Sequence, residues 1–182
     1  AEAGDALPTR IRVLGWGRNE TTEGPVIVDE GTAAVFAANQ KLIGRERVAM
    51  DFEHNTVPGT PEYNRTHEPR DVAGYCNLVC VPGEGIFGEA VTYTATGEAK
   101  AGNYEDLSLA PYLDKAGRVI AAHSVALTRT GAAHGITFTP SNPAALAAGE
   151  TINAELKLLS ASSGAGKPTK HMPDKFVSLA AL

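Results

Sequence analysis

Two pairs of apolar runs, each joined by a tight turn signal, limit the folds open to this chain of 182 residues. VAGYCNLVCV and GIFGEAVTYT meet at Pro82-Gly83-Glu84-Gly85, and YEDLSLAPYL and RVIAAHSVALT are linked by Asp114-Lys115-Ala116-Gly117. Such runs, bounded by Gly, Pro and Asp, are typical of β-hairpins. Two further strand patterns occur in TRIRVLGWG and RVAMDFEH. The sequence therefore predicts a β-rich α+β fold, an antiparallel barrel of short strands with helices packed outside.

One helix and one long loop interrupt these strands. The stretch EGTAAVFAANQKLIG predicts a helix that Asp29 or Thr32 caps and Gly44 ends. Its expected apolar face consists of Ala33, Val35, Phe36, Leu42 and Ile43. The polar stretch 55–71 contains three prolines and predicts a loop without regular structure.

The composition changes beyond residue 131. PSNPAALAAGETINAELKLLSA is typical of a helix, with Asn142 as its cap and Pro143 in its first turn. SASSGAGKPTKHMPDK is rich in Ser, Gly, Lys and Pro, as flexible linkers are. We therefore expect a folded domain over 1–140, a helical segment over 141–160 and a linker over 161–182.

Charge and cysteine content exclude several classes of protein. The net charge of -5 argues against a general nucleic-acid binder, which would carry a basic face. No apolar run approaches the roughly 18 residues of a membrane span, so we expect no membrane partner. Cys76 and Cys80 are too few for a structural zinc site, and we expect reduced thiols and no cofactor.

Two of the five histidines lie in apolar strand patterns. Period-two alternation places His54 on the face of Met50 and Phe52, and His123 on the face of Val125. A single histidine in such a position is more often a packed core residue. Two of them in one chain favour a functional role.

Ser108 gives these histidines a chemical context. It lies between Leu107 and Leu109 and is expected to face the opposite side of the strand. A serine hydroxyl is a poor nucleophile unless a base lies beside it, and that base needs a third group to orient it. Ser108, His54 and His123 are candidates for nucleophile, general base and third member of a triad.

A metal-dependent hydrolase using His54 and His67 is an alternative. Asp51, Glu53 and Asp71 would supply further ligands, but the alternation places Asp51 and Glu53 on the face opposite His54. The two-histidine helix motif HExxH is absent.

MDFEHNT, followed by AGYCNLV, resembles the histidine signature of Mu-like phage head-maturation proteases, the I protein family. That family has a D-x-x-H-x-T stretch and then a Gly–aromatic pair, here Gly74-Tyr75. The pattern continues with Tyr104 and Ser108, the Asp114 to Gly117 turn, and a strand that ends in Leu127-Thr128. Order and spacing agree over roughly residues 10–130.

The resemblance implies a fold and a mechanism. These proteins are similar to tailed-phage prohead proteases and herpesvirus assemblins, which use a serine, a histidine and a third residue on a late strand. It thus implies a serine endopeptidase of that fold, with a Ser108–His54–His123 triad. The Arg129-Thr130 turn is the implied candidate for the oxyanion loop.

The resemblance also implies partners and a location. The expected substrates are phage major capsid and scaffold proteins and the chain itself, inside the procapsid in the host bacterial cytoplasm. The 161–182 linker would lead towards a scaffold region, and a homodimer is one expected state because assemblins act as dimers. A non-catalytic scaffold module of the same fold is the other alternative.

Overall fold

Eight strands and three short or medium helices make up the part of the chain that the computed structural model describes, residues 6–21 and 24–129. In chain order they are β1 (Ile11–Gly15), β2 (Gly17–Asn19), β3 (Val26–Val28), α1 (Glu30–Leu42), β4 (Arg47–Phe52), α2 (Pro61–Arg65), β5 (Val72–Val81), β6 (Gly85–Tyr93), α3 (Ala95–Lys100), a 3₁₀ turn (Ala101–Asn103), β7 (Asp106–Leu113) and β8 (Val119–Thr128). The segments expected over 141–160 and 161–182 lie outside the described residues, as does the end of the domain expected over 1–140.

Six strands form one nearly closed, barrel-like sheet in the order β1-β6-β5-β4-β8-β7. Strands β2 and β3 form a separate small ribbon. The strand-rich fold with few helices is confirmed. Uniform antiparallel pairing is wrong at one place, because β4 and β8 run parallel, with Met50 opposite Val125. The connection between them contains β5, β6 and β7, so no tight turn forces the two strands to run in opposite directions.

The core fills the inside of this sheet. Its most completely buried large side chains include Leu14, Phe36, Met50, Ile86, Leu107, Leu109 and Leu127. Cys76 is buried in the same cluster and Cys80 is partly buried, and both are free thiols. Burial raises the pKa of the Cys76 thiol to about 12, so this residue is an unreactive part of the core.

Helix α1 begins at a capping box. The Asp29 carboxylate accepts from the Thr32 amide at 3.1 Å, while the Thr32 hydroxyl accepts from the Asp29 amide at 3.3 Å. Gly44 follows the end of the helix with a φ of 68°, which glycine adopts without strain. The predicted cap and stop are thus confirmed. The predicted apolar face is wrong at Leu42, whose surface is 48% exposed.

Polar residues of α1 are buried against β8 instead. Asn39 Nδ2 donates to the Ile120 carbonyl at 3.1 Å, and Gln40 Oε1 accepts from the Ala122 amide at 2.7 Å. Both side chains are almost fully buried. They hydrogen-bond to main-chain groups on a part of β8 that lies beyond its pairing with β4. The end of α1 therefore takes the place of a neighbouring strand.

The stretch 55–71 is more ordered than its composition predicts. It contains α2, because the Thr60 hydroxyl accepts from the Tyr63 amide and Pro61 occupies the first turn. The expectation of no regular structure is wrong over these five residues. Among the described helices, none is long and apolar enough to cross a membrane.

Candidate active site

A buried histidine and a buried serine meet across β8. His54 Nε2 and Ser108 Oγ are 2.9 Å apart, and the two residues are only 3% and 4% exposed. Ser108 on β7 and Asp51 on β4 are both register partners of Ala126 on β8. The small residue Ala126 therefore lies between the two strands that position Ser108 and the His54 turn. At this distance a histidine can take the proton of a serine hydroxyl.

His54 reaches Ser108 from a turn and not from a strand. Strand β4 ends at Phe52, and Glu53 and His54 have φ angles of 52° and 60°. The expectation that His54 continues the strand face is therefore wrong. Several contacts hold this turn; among them, the Glu53 amide donates to the Leu127 carbonyl at 3.0 Å, and the Thr60 hydroxyl donates to the His54 carbonyl at 2.8 Å. The left-handed conformation turns His54 out of the register of the strand.

Asp51 lies directly behind the turn and is fully buried. Its Oδ2 accepts from the hydroxyl and the amide of Thr56 and, at 3.3 Å, from the Ser124 hydroxyl. Burial raises the pKa of Asp51 to about 6, against the opposing effect of these hydrogen bonds. Thr56 and Ser124 are not predicted as site residues from the sequence, although the D-x-x-H-x-T spacing that contains Asp51 and Thr56 is a usable signal.

His123 sits on β8 next to Ser124. Its Nδ1 is 3.2 Å from Ser124 Oγ, and its carbonyl accepts from Arg45 Nη1 at 3.2 Å. Burial, and secondly the charge of Arg45, lowers the pKa of His123 to about 4. The imidazole is therefore neutral at physiological pH.

A bulge puts His123 on a different face from the predicted one. Three residues of β7, from Leu109 to Pro111, are matched by four residues of β8, from Val125 to Ala122. Val125 and Ala122 both pack into the core cluster. His123 therefore does not share the core face of Val125, as strict alternation predicted, and lies instead on the side of the Asp51 contact.

The expected oxyanion loop begins at Arg129. Its amide donates to Glu53 Oε1 at 2.8 Å, and its guanidinium lies 5.2 Å from the centre of the Tyr104 ring. The Arg129 amide is thus engaged by the turn that carries His54. Thr130 lies outside the described residues.

The residues considered for metal binding do not converge. His67 is exposed on the loop, whereas His54 is buried. Glu53 and Asp51 are used by Arg129 and Thr56 respectively. Within residues 6–21 and 24–129, no group of three or more His, Cys, Asp or Glu side chains is placed to hold a metal ion.

Comparison with known proteins identifies the family. Neither the curated proteins nor the solved structures contain a significant match to this chain. One family model matches, that of the Mu-like prophage I protein, N-terminal domain, over residues 11–138. The match spans well over half of the chain and includes the His54 turn, Ser108 and β8. The chain therefore belongs to the Mu-like prophage I protein family and has a phage-related role.

Proposed function

We propose that this chain is a serine endopeptidase of phage head maturation. The observation that carries the proposal is the buried 2.9 Å contact between His54 Nε2 and Ser108 Oγ. Serine peptidases need a serine with a histidine base in hydrogen-bond reach. Membership in the Mu-like prophage I protein family supplies the phage context.

The reaction starts at Ser108. His54 Nε2 takes the hydroxyl proton as Ser108 Oγ attacks the scissile carbonyl, and His54 later gives that proton to the leaving amine. The resulting acyl-enzyme is hydrolysed by water in the reverse sequence of proton transfers. His123 is the third member of the triad and acts as a neutral acceptor for the Nδ1 proton of His54.

A neutral third member sets the expected speed of this enzyme. Imidazole stabilises the imidazolium of His54 less than a carboxylate would, because the pair carries no opposite charges. We therefore expect slow turnover, which suits a protease that acts once on each substrate. Since the Arg129 amide already donates to Glu53, other groups of the Arg129-Thr130 turn are the candidates for binding the oxyanion.

The proposed substrates are the major capsid and scaffold proteins of the phage and the chain itself. Cleavage would take place inside the procapsid, in the cytoplasm of the host bacterium. We further propose that the fold is of the prohead-protease and assemblin type; the strand-rich, barrel-like sheet supports this proposal.

A fluorophosphonate probe tests the nucleophile without knowledge of the natural substrate. We expect the probe to label Ser108, as read by peptide mass spectrometry, and Ser108→Ala to abolish labelling. Cleavage of phage scaffold and capsid proteins should fall with it by about 10⁶-fold, the effect of losing a triad nucleophile. Thr92→Ala, which removes an exposed hydroxyl on β6, is the matched control and should label normally.

The alternatives predict other outcomes of the same experiment. A non-catalytic scaffold module would neither label nor cleave. A metal-dependent hydrolase would cleave in Ser108→Ala and lose activity in EDTA. Cleavage that persists in Ser108→Ala would overturn the serine proposal.

A further inference from the structure

Asp51 is a buried acid whose contacts reach both histidines of the proposed triad. It is completely inaccessible to solvent, and its carboxylate accepts from the amide and the hydroxyl of Thr56, two residues beyond His54. On the other side it accepts from Ser124, which contacts His123. One carboxylate thus contacts the turn that carries His54 and the strand that carries His123.

The first of these contacts concerns the geometry of the His54 turn. Glu53 and His54 both have positive φ, which is unfavourable for residues other than glycine. Such a turn persists only where the surroundings fix it, and the carboxylate of Asp51 binds the amide and the hydroxyl of Thr56 at its far end. This gives the D-x-x-H-x-T pattern a physical meaning: its Asp and Thr hold the loop from which its His projects.

The second contact concerns the proton on His123. An ionised carboxylate only accepts hydrogen bonds, so the Ser124 hydroxyl donates to Asp51. The Ser124 oxygen then accepts, and His123, which is neutral, must place its single ring proton on Nδ1. Its Nε2 is left as an acceptor, which is the form that can take a hydrogen bond from His54 Nδ1.

We propose that Asp51 is a positioning residue that fixes the His54 turn directly and, through Ser124, holds the proton of His123 on Nδ1. The inference rests on the proposed serine peptidase function. Asp51 itself touches neither Ser108 nor a substrate in this arrangement, and it acts only through the two histidines.

The surroundings of Asp51 agree with a functional role for its charge. Its pKa of about 6 leaves it mostly ionised at neutral pH although it is buried. On β8 the titratable group in contact with Ser124 is His123. The turn carries His54 and also Glu53, whose carboxylate accepts from the Arg129 amide. On the β5 side Asp71 is exposed and pairs with Lys100 at 3.6 Å. A buried charge of this kind is unfavourable for folding, and its presence beside a site is typical of catalytic machinery.

The rate at which a fluorophosphonate labels Ser108 measures how well His54 removes the proton from the Ser108 hydroxyl. We expect Asp51→Asn to slow labelling roughly 100-fold, the effect of a small displacement in an active site. Thr56→Val should slow it about tenfold, which equals one hydrogen bond to a charged group, while Thr56→Ser keeps the hydroxyl and should restore the rate. The matched control is Asp29→Asn, which removes a structural carboxylate at the cap of α1 and should leave the rate unchanged.

NMR of nitrogen-labelled histidine provides a readout that does not depend on activity. The ring nitrogens of His123 should report the proton on Nδ1 in the wild type, and Ser124→Ala should abolish that preference. Ser124→Ala removes only one oxygen, so it tests the inference even where Asp51→Asn fails to fold.

Failure of the positioning role and failure of the proposed function give different experimental results. If Ser108 is labelled in the wild type and Asp51→Asn and Thr56→Val label equally fast, the positioning role is wrong although the proposed function stands. If Ser108 is never labelled, the proposed function is wrong, and the NMR experiment still decides the matter: a His123 proton on Nε2 would overturn the role of Asp51 and Ser124.

Discussion

Asp51 and His123 are two buried titratable residues whose pKa values are shifted in opposite directions, so that their order is reversed. Burial raises the pKa of Asp51 from 3.8 to about 6 and lowers that of His123 from 6.5 to about 4. The Asp51 contribution to stability is present below pH 3.8 and is lost as pH rises through 6. The His123 contribution is present above pH 6.5 and is lost as pH falls through 4. Between these limits the two effects oppose each other.

Single variants should expose each effect. On acidification from pH 7 to pH 4, Asp51→Asn should lose roughly 2–3 kcal/mol of unfolding free energy relative to the wild type, because only the His123 penalty remains. His123→Gln should gain a similar amount relative to the wild type. Urea unfolding at the two pH values measures both. The double variant should return to nearly the wild-type dependence, and identical slopes in all four proteins would contradict the assignment.

At the scale of single residues, the sequence identified His54, Ser108 and His123 as candidates but not their geometry. Alternation counts residues and therefore assumes that a strand continues. The alternating pattern does not show that β4 ends at Phe52 or that His54 adopts a left-handed conformation in the turn that follows. Ser124 was unremarkable as a sequence position because its role depends on a partner 73 residues away.

At the scale of elements, β8 shows the same limit. Its turn with β7 and its length were predictable from the Asp114 to Gly117 signal and the apolar run. The bulges were not, because an extra residue is defined only against a partner strand. For α1 the cap and stop are local signals and were predicted, whereas the burial of Asn39 and Gln40 depends on the unpaired groups of β8.

Gln40 should therefore matter more to stability than its polarity suggests. Gln40→Leu leaves the buried Ala122 amide without its acceptor and removes the donor to the Arg45 carbonyl. We expect a loss of about 2–3 kcal/mol in unfolding free energy, measured by chemical denaturation. Lys41→Ala, at an exposed position of the same helix, should change it by less than about 0.5 kcal/mol. A Gln40→Leu protein as stable as the control would show that this capping of β8 by α1 is dispensable.

At the scale of the whole molecule, the site is shared between distant parts of one sheet. His54 follows β4, Ser108 lies on β7, and β8 separates these strands. The hairpins and the strand-rich class were predictable from local patterns. The sheet order was not, because nothing in the sequence of β4 specifies a parallel neighbour that follows about 70 residues later.

This sharing predicts that the site is lost only with the fold. In increasing urea, fluorophosphonate labelling of Ser108 and the far-ultraviolet circular dichroism signal should disappear in one transition, since β8 belongs both to the core and to the site. Labelling that fails at much lower urea would instead place the His54 turn in a separate, weaker unit.

The position of β8 in the sheet also has a consequence for synthesis. Proteins are made from the N-terminus, and His54 and Ser108 both leave the ribosome before β8 does. Until that strand has emerged and inserted between β4 and β7, no hydrogen-bonded neighbour holds Ser108 beside the His54 turn. A nascent chain therefore carries both side chains without the contact between them, and the topology delays formation of the His54–Ser108 pair until the described sheet has been synthesised.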